Sequence, residues 1–405
     1  MSRLMNGGIS KSGGPRFLVV GCGGIGGLVA AHLFAHGHDV TVLTTNTQIA
    51  SAINSNGIRI VGDDRVNSVR GKAETDLGPS TEAFDYILLA TQPPQVEEAA
   101  RGVLPFLAPH GAMVTFQNGL CEERIASIAG KDRTLGGVVA WGASMLEPGV
   151  YERTSPGGFV LGRMDGASDE RLEPLALALG SIGETTISHN LAGARWSKLA
   201  INCAITSLGA LGGERLGVLM RHRFIRRLAL EVMTEVVLTS RALGVRLEKV
   251  SGTLDLDWIA LTDDERRAVG STGLFVKHAI LIAVGTRFRK MRSSMLAAIE
   301  RGRPPAVDFL NGEITRRGQA SGVATPINSA IQTEVHAVAA KRTTPSLDLC
   351  RALYENTRHL AVAPISVPPP PAEADPAALD PEPFTPPPAR HSARQSTSSS
   401  IELGG

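Results

Sequence analysis

The stretch RFLVVGCGGIGGLVAAHLFAHGHDVTVL, residues 16–43, constrains the fold more than any other part of the chain. An apolar run (Phe17–Val20) leads into a glycine turn, an amphipathic helical pattern and a second apolar run (Asp39–Leu43). That order predicts a strand, a turn, a helix and a second strand. The turn spaces Gly21, Gly23 and Gly26 as G-x-G-x-x-G. The first glycine permits a tight turn, the second lets backbone approach a pyrophosphate, and the third lets helix pack on strand. Gly21, Cys22, Gly23, Gly24, Ile25 and Gly26 are therefore the candidate cradle for a dinucleotide, with N–H groups at the helix N-terminus facing its phosphates. A secretory signal is the competing reading, because Arg3, Lys11 and Arg16 precede an uncharged run from Phe17 to Ala31. The glycine content of that run, and the strand pattern that follows it directly, count against a cleaved leader.

With 405 residues the chain has room for two domains and a tail. Its hydrophobic fraction of 43% is enough for substantial cores, while 4% aromatic residues argues against stacking surfaces for single-stranded nucleic acid. Lys and Arg number 41 against 39 Asp and Glu, so no global field points to nucleic acid or to an anionic membrane. The local run Arg287–Arg292 fits either a solvated helix face or a site for an anionic substrate. Cys22, Cys121, Cys203 and Cys350 are widely spaced without a C-x-x-C, which predicts neither a metal site nor a disulfide framework and makes a reducing cytoplasm the default. No apolar run reaches membrane-spanning length, so no membrane partner is expected.

From residue 16 to about 188, short β-rich runs alternate with helical ones. Asp85–Ala90 and Ala112–Phe116 read as doubly buried parallel strands, with a helix over PQVEEAARGVLPFL after the first; GGVVAWGASM and GGFVLG read as later strands. This alternation predicts an α/β Rossmann domain, a doubly wound and mostly parallel sheet, over 15–188. Ligands of such sheets sit beyond the carboxyl ends of the strands, which lines up the glycine turn, Thr91, Gln92 and Asn118 along one edge. After about residue 190 only helical patterns remain: Arg195–Leu211, Arg221–Leu243, Asp263–Val284, Ser294–Arg301, Val307–Ser321 and Pro326–Ala340. An all-α C-terminal domain over 189–345 is expected. Residues 1–14, rich in Gly and Ser, and the Pro/Ser-rich segment 365–405 read as disordered ends.

At the start of the helical half, Lys198, Asn202 and Thr206 are spaced i, i+4, i+8 and form one polar stripe among apolar neighbours. Spacing alone fits a snorkelling lysine beside a satisfied asparagine better than a working site.

Several segments in order carry a resemblance across residues 16–340: VVGCGGIGG, the FQNG loop at 116–119, LGGVVAWGA at 135–143, RWSKLAINCAI at 195–205, RSSMLAAIERGRP at 292–304, DFLNG at 308–312 and GVATPINSAI at 322–331. Together they resemble the ketopantoate reductases (2-dehydropantoate 2-reductases). These are NADPH-dependent enzymes with a Rossmann domain, a helical domain and the active site between them, found as monomers and homodimers. The resemblance implies a small 2-oxo acid substrate, with Lys198 as the catalytic lysine. Its ammonium would polarise the carbonyl and deliver a proton. Asn202 would orient the substrate or the lysine, Asn118 would lie near the nicotinamide and the carbonyl, Ser294 would bind the substrate carboxylate, and Thr206 would be a further substrate-binding residue. Asp308 and Asn311 also match family positions, where a structural capping role fits equally well.

Departures from the family pattern bear on substrate and cofactor. Thr45 stands where an arginine commonly holds the 2′-phosphate of NADP, and no carboxylate stands there to bind the ribose diol of NAD. Hydroxyl and amide groups at Thr44-Thr45-Asn46 tolerate a phosphate better than a carboxylate would, so NADP is expected over NAD. Gln92 replaces a lysine, Thr206 an asparagine and Met291 an asparagine, and Ala306 replaces the glutamate that anchors the substrate. Ala306 and Met291 imply a less polar pocket at the far end of the substrate. Three readings follow: reduction of 2-dehydropantoate to (R)-pantoate, the same chemistry on a more apolar ketone, and a non-catalytic dinucleotide sensor. The segment 245–290 is longer than the family norm, and the sequence assigns it no task.

Overall fold

A computed structural model describes residues 14–62, 66–249, 255–267 and 270–360. The expected disordered ends, apart from residue 14, lie outside these residues. The N-terminal half runs β1 (Arg16–Val20), α1 (Gly24–Ala35), β2 (Asp39–Leu43), α2 (Thr47–Asn56), β3 (Ile58–Val61), β4 (Ser68–Val69), β5 (Ala73–Glu74), β6 (Phe84–Leu89), α3 (Val96–Val103) and β7 (Leu107–Thr115). It continues with α4 (Cys121–Ala129), β8 (Thr134–Val139), β9 (Gly142–Glu147), β10 (Val150–Ser155), β11 (Phe159–Gly162), α5 (Leu172–Gly180) and β12 (Thr185–Ile187).

Eight of these strands form one sheet in the order β12-β11-β8-β7-β6-β1-β2-β5. It is parallel except where β11 runs antiparallel to β8. Alternation along β1 explains the double winding. Phe17 and Val19 face a core shared with α1 and α5, while Leu18 and Val20 face another under α3 and α4.

Two features differ from the sequence reading. The run GGVVAWGASM divides at Ala140–Trp141 into β8 and β9, which join different sheets, because β9 pairs with β10 in a second, four-stranded sheet ordered β4-β3-β10-β9. That small sheet packs on α1, so α1 is not amphipathic; every residue from Gly26 to Leu33 is buried. Its small residues permit this. A Cβ at Gly27 would lie 2.2 Å from the Tyr151 ring, and one at Gly24 would lie 2.4 Å from the Ala143 carbonyl oxygen.

The C-terminal half is all helix: α6 (Leu191–Gly212), α7 (Leu216–Leu219), α8 (Arg223–Ala242), α9 (Leu256–Ile259), α10 (Asp263–Arg267), α11 (Thr272–Arg287), α12 (Ser294–Glu300), α13 (Asn311–Ser321), α14 (Pro326–Ala339) and α15 (Leu347–Thr357). Asn190 starts α6 by accepting from the Gly193 N–H at 3.1 Å, and Gly213, at φ +70°, ends it in the left-handed region. The pattern over 263–284 is two helices, α11 being started afresh by the Ser271 hydroxyl, which accepts from the Leu274 N–H at 3.1 Å. α15 follows the segment read as the helical domain, yet its Cys350 and Leu353 join the same core as α6 and α8. No helix among the described residues is long and apolar enough to cross a membrane.

Candidate active site

The carboxyl ends of β1, β6, β7 and β8 bring four loops to one edge of the sheet. After β1 the chain turns at Gly21, whose φ of +90° a side chain would strain and whose N–H donates to Leu43 at 2.8 Å. A Cβ at Gly26 would lie 1.9 Å from the Gly21 carbonyl oxygen, so helix and turn meet in van der Waals contact. Gly23 is different: a Cβ there would meet nothing within 4 Å, and its φ of −77° suits any residue. No protein atom explains that glycine, while a phosphate group held in the open space does. No side chain caps α1, so the first-turn N–H groups from Gly24 to Gly26 face the same space. Cys22 is buried, with its thiol 3.0 Å from the Tyr151 hydroxyl, and burial pushes that thiol up to about 11. The turn thus fits a dinucleotide pyrophosphate.

At the end of β2, Thr45 is exposed. Its neighbour Asn46 caps α2, accepting from Gln48 and Ile49 N–H groups at 2.9 and 3.2 Å, so its carbonyl oxygen is committed to the helix. Gln92 is exposed after β6. Beyond β7, Gln117 donates from Nε2 to the Leu89 and Thr91 carbonyl oxygens at 3.0 and 3.2 Å, which ties two loop ends together. Asn118 beside it is half-buried, and Gly119 holds φ +96° against the Phe309 carbonyl.

The helical half reaches this edge through α6. Arg195 is buried and paired with the buried Glu122 of α4. It also donates to the carbonyls of Gln117 and Thr115, each at 2.8 Å, and of Gly137 at 3.2 Å. Thr115 completes the cluster by donating to Glu122 at 2.6 Å. The ends of β7 and β8 are thereby locked to α6. One turn along, the Lys198 ammonium donates to the Val139 carbonyl, at the end of β8, at 2.7 Å. Burial, and then the nearby Arg195 charge, lower its pKa to about 7 against the opposing pull of Glu122.

Between Gly193 and Gly212 the only residues of α6 that are not buried are Lys198, Ile201, Asn202, Ile205 and Thr206. That spacing is one helix face, left open in an otherwise enclosed helix. Asn202 Nδ2 is buried on this face with no protein partner, a donor awaiting an acceptor. Ser293 donates to the Thr206 carbonyl at 2.6 Å and accepts from the Leu296 N–H at 3.1 Å, capping α12. Ser294, next to it, is exposed. The structure therefore gathers Lys198, Asn202 and Thr206 on one open side of α6, while Ser294 follows the Ser293 that meets Thr206.

Asn311 is elsewhere. Fully buried, it accepts from Ser207 at 2.5 Å and donates to Asn328 at 2.9 Å, so its side chain is engaged inside the helical core and caps no helix end. Asp308 is exposed and receives Gln332 and His336 at 2.7 and 2.8 Å. Ala306 is half-buried, opening the 3-10 turn Ala306–Phe309 whose Phe309 meets Gly119. Met291 is 43% exposed. Sequence reasoning passed over Arg195, Glu122, Ile201 and Ile205. The two isoleucines were findable, since they share the helical spacing of the polar stripe. The ion pair joins residues 73 positions apart, and no local pattern carries it.

Comparison with known proteins agrees with this architecture. The family model described as ketopantoate reductase PanE/ApbA matches residues 17–166, and its C-terminal counterpart matches 190–339. The 2-dehydropantoate 2-reductase of Pyrococcus abyssi is 27% identical over 315 residues, spanning 77% of this chain and 94% of that protein. The enzyme of the same name from Halobacterium salinarum is 28% identical over 316 residues, spanning 77% and 95%. Among solved structures, a PanE/ApbA family ketopantoate reductase from Ralstonia eutropha superposes with a TM-score of 0.67 at 24% identity, covering 80% of this chain and 98% of that one. A D-mandelate dehydrogenase in ternary complex with NADH and anilino(oxo)acetate superposes with a TM-score of 0.68 at 16% identity, covering 80% and 98%. At those identities the two structures speak to the fold.

Proposed function

The chain belongs to the ketopantoate reductase family and is an oxidoreductase acting on CH–OH groups, and on that premise we propose that it reduces a 2-oxo acid, 2-dehydropantoate to (R)-pantoate, at the open face of α6, with NADPH. The observation that carries this reading is the Lys198 ammonium, held at the end of β8 by one hydrogen bond and shifted to a pKa of about 7. One bond to Val139 leaves its other N–H groups for a substrate carbonyl. A bound reduced nicotinamide supplies the hydride. As hydride adds to the carbonyl carbon, Lys198 stabilises the charge growing on oxygen and gives it a proton. The unpartnered Asn202 amide donates to the substrate, Asn118 lines the junction of the loop with the helical half, and Ser294 receives the carboxylate.

Gly21 to Gly26 would hold the pyrophosphate, and the exposed Thr45 and Gln92 would meet other parts of the cofactor. The preference for NADP over NAD rests on the absence of a carboxylate at positions 44–46, directly after β2. A more apolar ketone is the second reading, favoured by Ala306 and by Ile201 and Ile205 on the open face. The sensor reading falls with membership in an enzyme family. Purified protein mixed with NADPH and 2-dehydropantoate tests the proposal. Cofactor oxidation at turnover well above that with bulkier aryl 2-oxo acids supports it; turnover with the aryl acids alone selects the second reading.

A further inference from the structure

Behind the open face of α6 lies a buried polar chain that the proposed chemistry does not use. Asn311, at the start of α13, grips α6 twice. Its Nδ2 donates to the Cys203 carbonyl at 3.2 Å, and its Oδ1 accepts from the Ser207 hydroxyl at 2.5 Å. The same Nδ2 donates to Asn328 Oδ1 of α14 at 2.9 Å, and Asn328 Nδ2 donates onward to Glu235 of α8 at 2.7 Å. Glu235 also accepts from the Ile327 and Asn328 N–H groups at 2.8 and 2.9 Å, which anchors the chain on the first turn of α14. Cys203, Ser207, Asn311 and Asn328 are fully buried, and no side-chain polar atom of either asparagine lacks a partner.

Stability alone does not call for this chain. It crosses a core of Leu208, Val232, Leu310 and Ile331, where apolar groups of the same shape would serve about as well. What apolar packing lacks is direction: it leaves a helix free to roll, whereas hydrogen bonds to its backbone fix its angle. Cys203 and Ser207 follow Asn202 and Thr206 by one residue each, about 100° round the helix, so the grips sit beside the open face and outside it. We propose that Asn311 is a positioning residue for the reduction: through Cys203 and Ser207 it sets the roll of α6, and so the placing of Lys198 and Asn202 against the substrate. The proposal rests on the open face being the reducing site. A roll of about 10° carries a side-chain tip about 6 Å from the helix axis through about 1 Å. A shift of that size costs on the order of a hundredfold in rate.

Asn311→Leu, which removes both grips, and Ser207→Ala, which removes one, test the proposal in the full chain. The assay uses NADPH with 2-dehydropantoate, or with an aryl 2-oxo acid if the wild type turns over only that. Asn311→Leu should lower kcat by about 10- to 100-fold and Ser207→Ala by about threefold to tenfold. NADPH affinity should stay unchanged, because the glycine turn proposed to hold the cofactor lies in the other half. The double variant should be no slower than Asn311→Leu, since the serine acts through the amide. In Asn311→Leu the falling limb of kcat/KM should also move to higher pH, because a rolled α6 takes the Lys198 ammonium off the Val139 carbonyl and toward water. Val335→Ala, a truncation in the same core, is the control for stability: it should lower the melting temperature and leave kcat and the pH limb unchanged. If Asn311→Leu and Ser207→Ala behave like Val335→Ala, the proposal is overturned. If Asn311→Leu does not fold, Ser207→Ala decides alone. A wild type that reduces no 2-oxo acid, or whose turnover survives Lys198→Ala, defeats the reading of the site and the proposal with it. A wild type that needs Lys198 and is indifferent to both variants defeats the proposal alone.

Discussion

The Lys198 ammonium, on the first helix of the all-helical half, donates to the carbonyl of Val139, at the end of a central strand of the sheet, at 2.7 Å. A lysine confined there has little water to stabilise its charge, and Arg195, one turn back on the same helix, disfavours the charge further. The result is a lysine whose ionisation falls near neutral pH, as the proposed role requires.

A pH dependence follows from the sign of that shift. The protonated form is the acid in reduction, so kcat/KM for ketone reduction should fall as pH rises through about 7. Glu122 opposes the depression, so Glu122→Gln should move the falling limb to lower pH. A rate that stays level to pH 9 would show that the proton comes from another group.

Arg195 and Glu122 form a buried pair whose other contacts are carbonyls of the β7 and β8 ends. Arg195→Met leaves a buried carboxylate without its counter-charge and three carbonyl acceptors without their donor. A loss of about 3–5 kcal/mol is expected in urea unfolding. Glu122 and Arg195 replaced together should cost less than Arg195→Met alone, because no uncompensated charge remains.

Tyr151 holds the glycine turn from behind. Its hydroxyl donates to the Cys22 carbonyl at 3.1 Å, and its ring fills the space left by Gly27. Tyr151→Phe removes the hydroxyl's bond to the Cys22 carbonyl, worth about 1 kcal/mol, together with its weaker contact to the Cys22 thiol. Cofactor titration should show roughly fivefold weaker NADPH binding, with kcat at saturating cofactor little changed. Equal losses in kcat and in thermal stability, at unchanged affinity, would mean that Tyr151 serves only the core.

Ala306 opens the turn that presses on Gly119. If the pocket is less polar for want of a carboxylate there, Ala306→Glu should raise kcat/KM for 2-dehydropantoate. A charged hydrogen bond to the substrate hydroxyl is worth about 1.5–3 kcal/mol, which corresponds to tenfold or more. Unchanged kinetics would show that position 306 does not touch the substrate.

How much of this was legible in the sequence follows from the range of the interactions. Phe17–Val20 and Asp39–Leu43 were readable because buried parallel strands are apolar on both faces. The stripe Lys198–Asn202–Thr206 was readable because helical spacing is local. The small sheet was not: β3 pairs with β10 about ninety residues later, β3 is only four residues long and β10 is largely polar. The same distance hid the burial of α1, whose Gly and Ala residues read as one open face until Tyr151 is placed against Gly27. Tertiary wiring likewise separated Asn311 from the site. Its side chain is spent on Ser207 and Asn328, partners from two other helices.

Single-turnover reduction with Lys198→Ala bears most directly on how the site works, provided that cofactor affinity is measured on the same protein. Hydride transfer to 2-dehydropantoate should slow by about 10²–10⁴-fold while NADPH binding stays within a factor of about two. Hydride transfer at the wild-type rate would remove Lys198 from the chemistry.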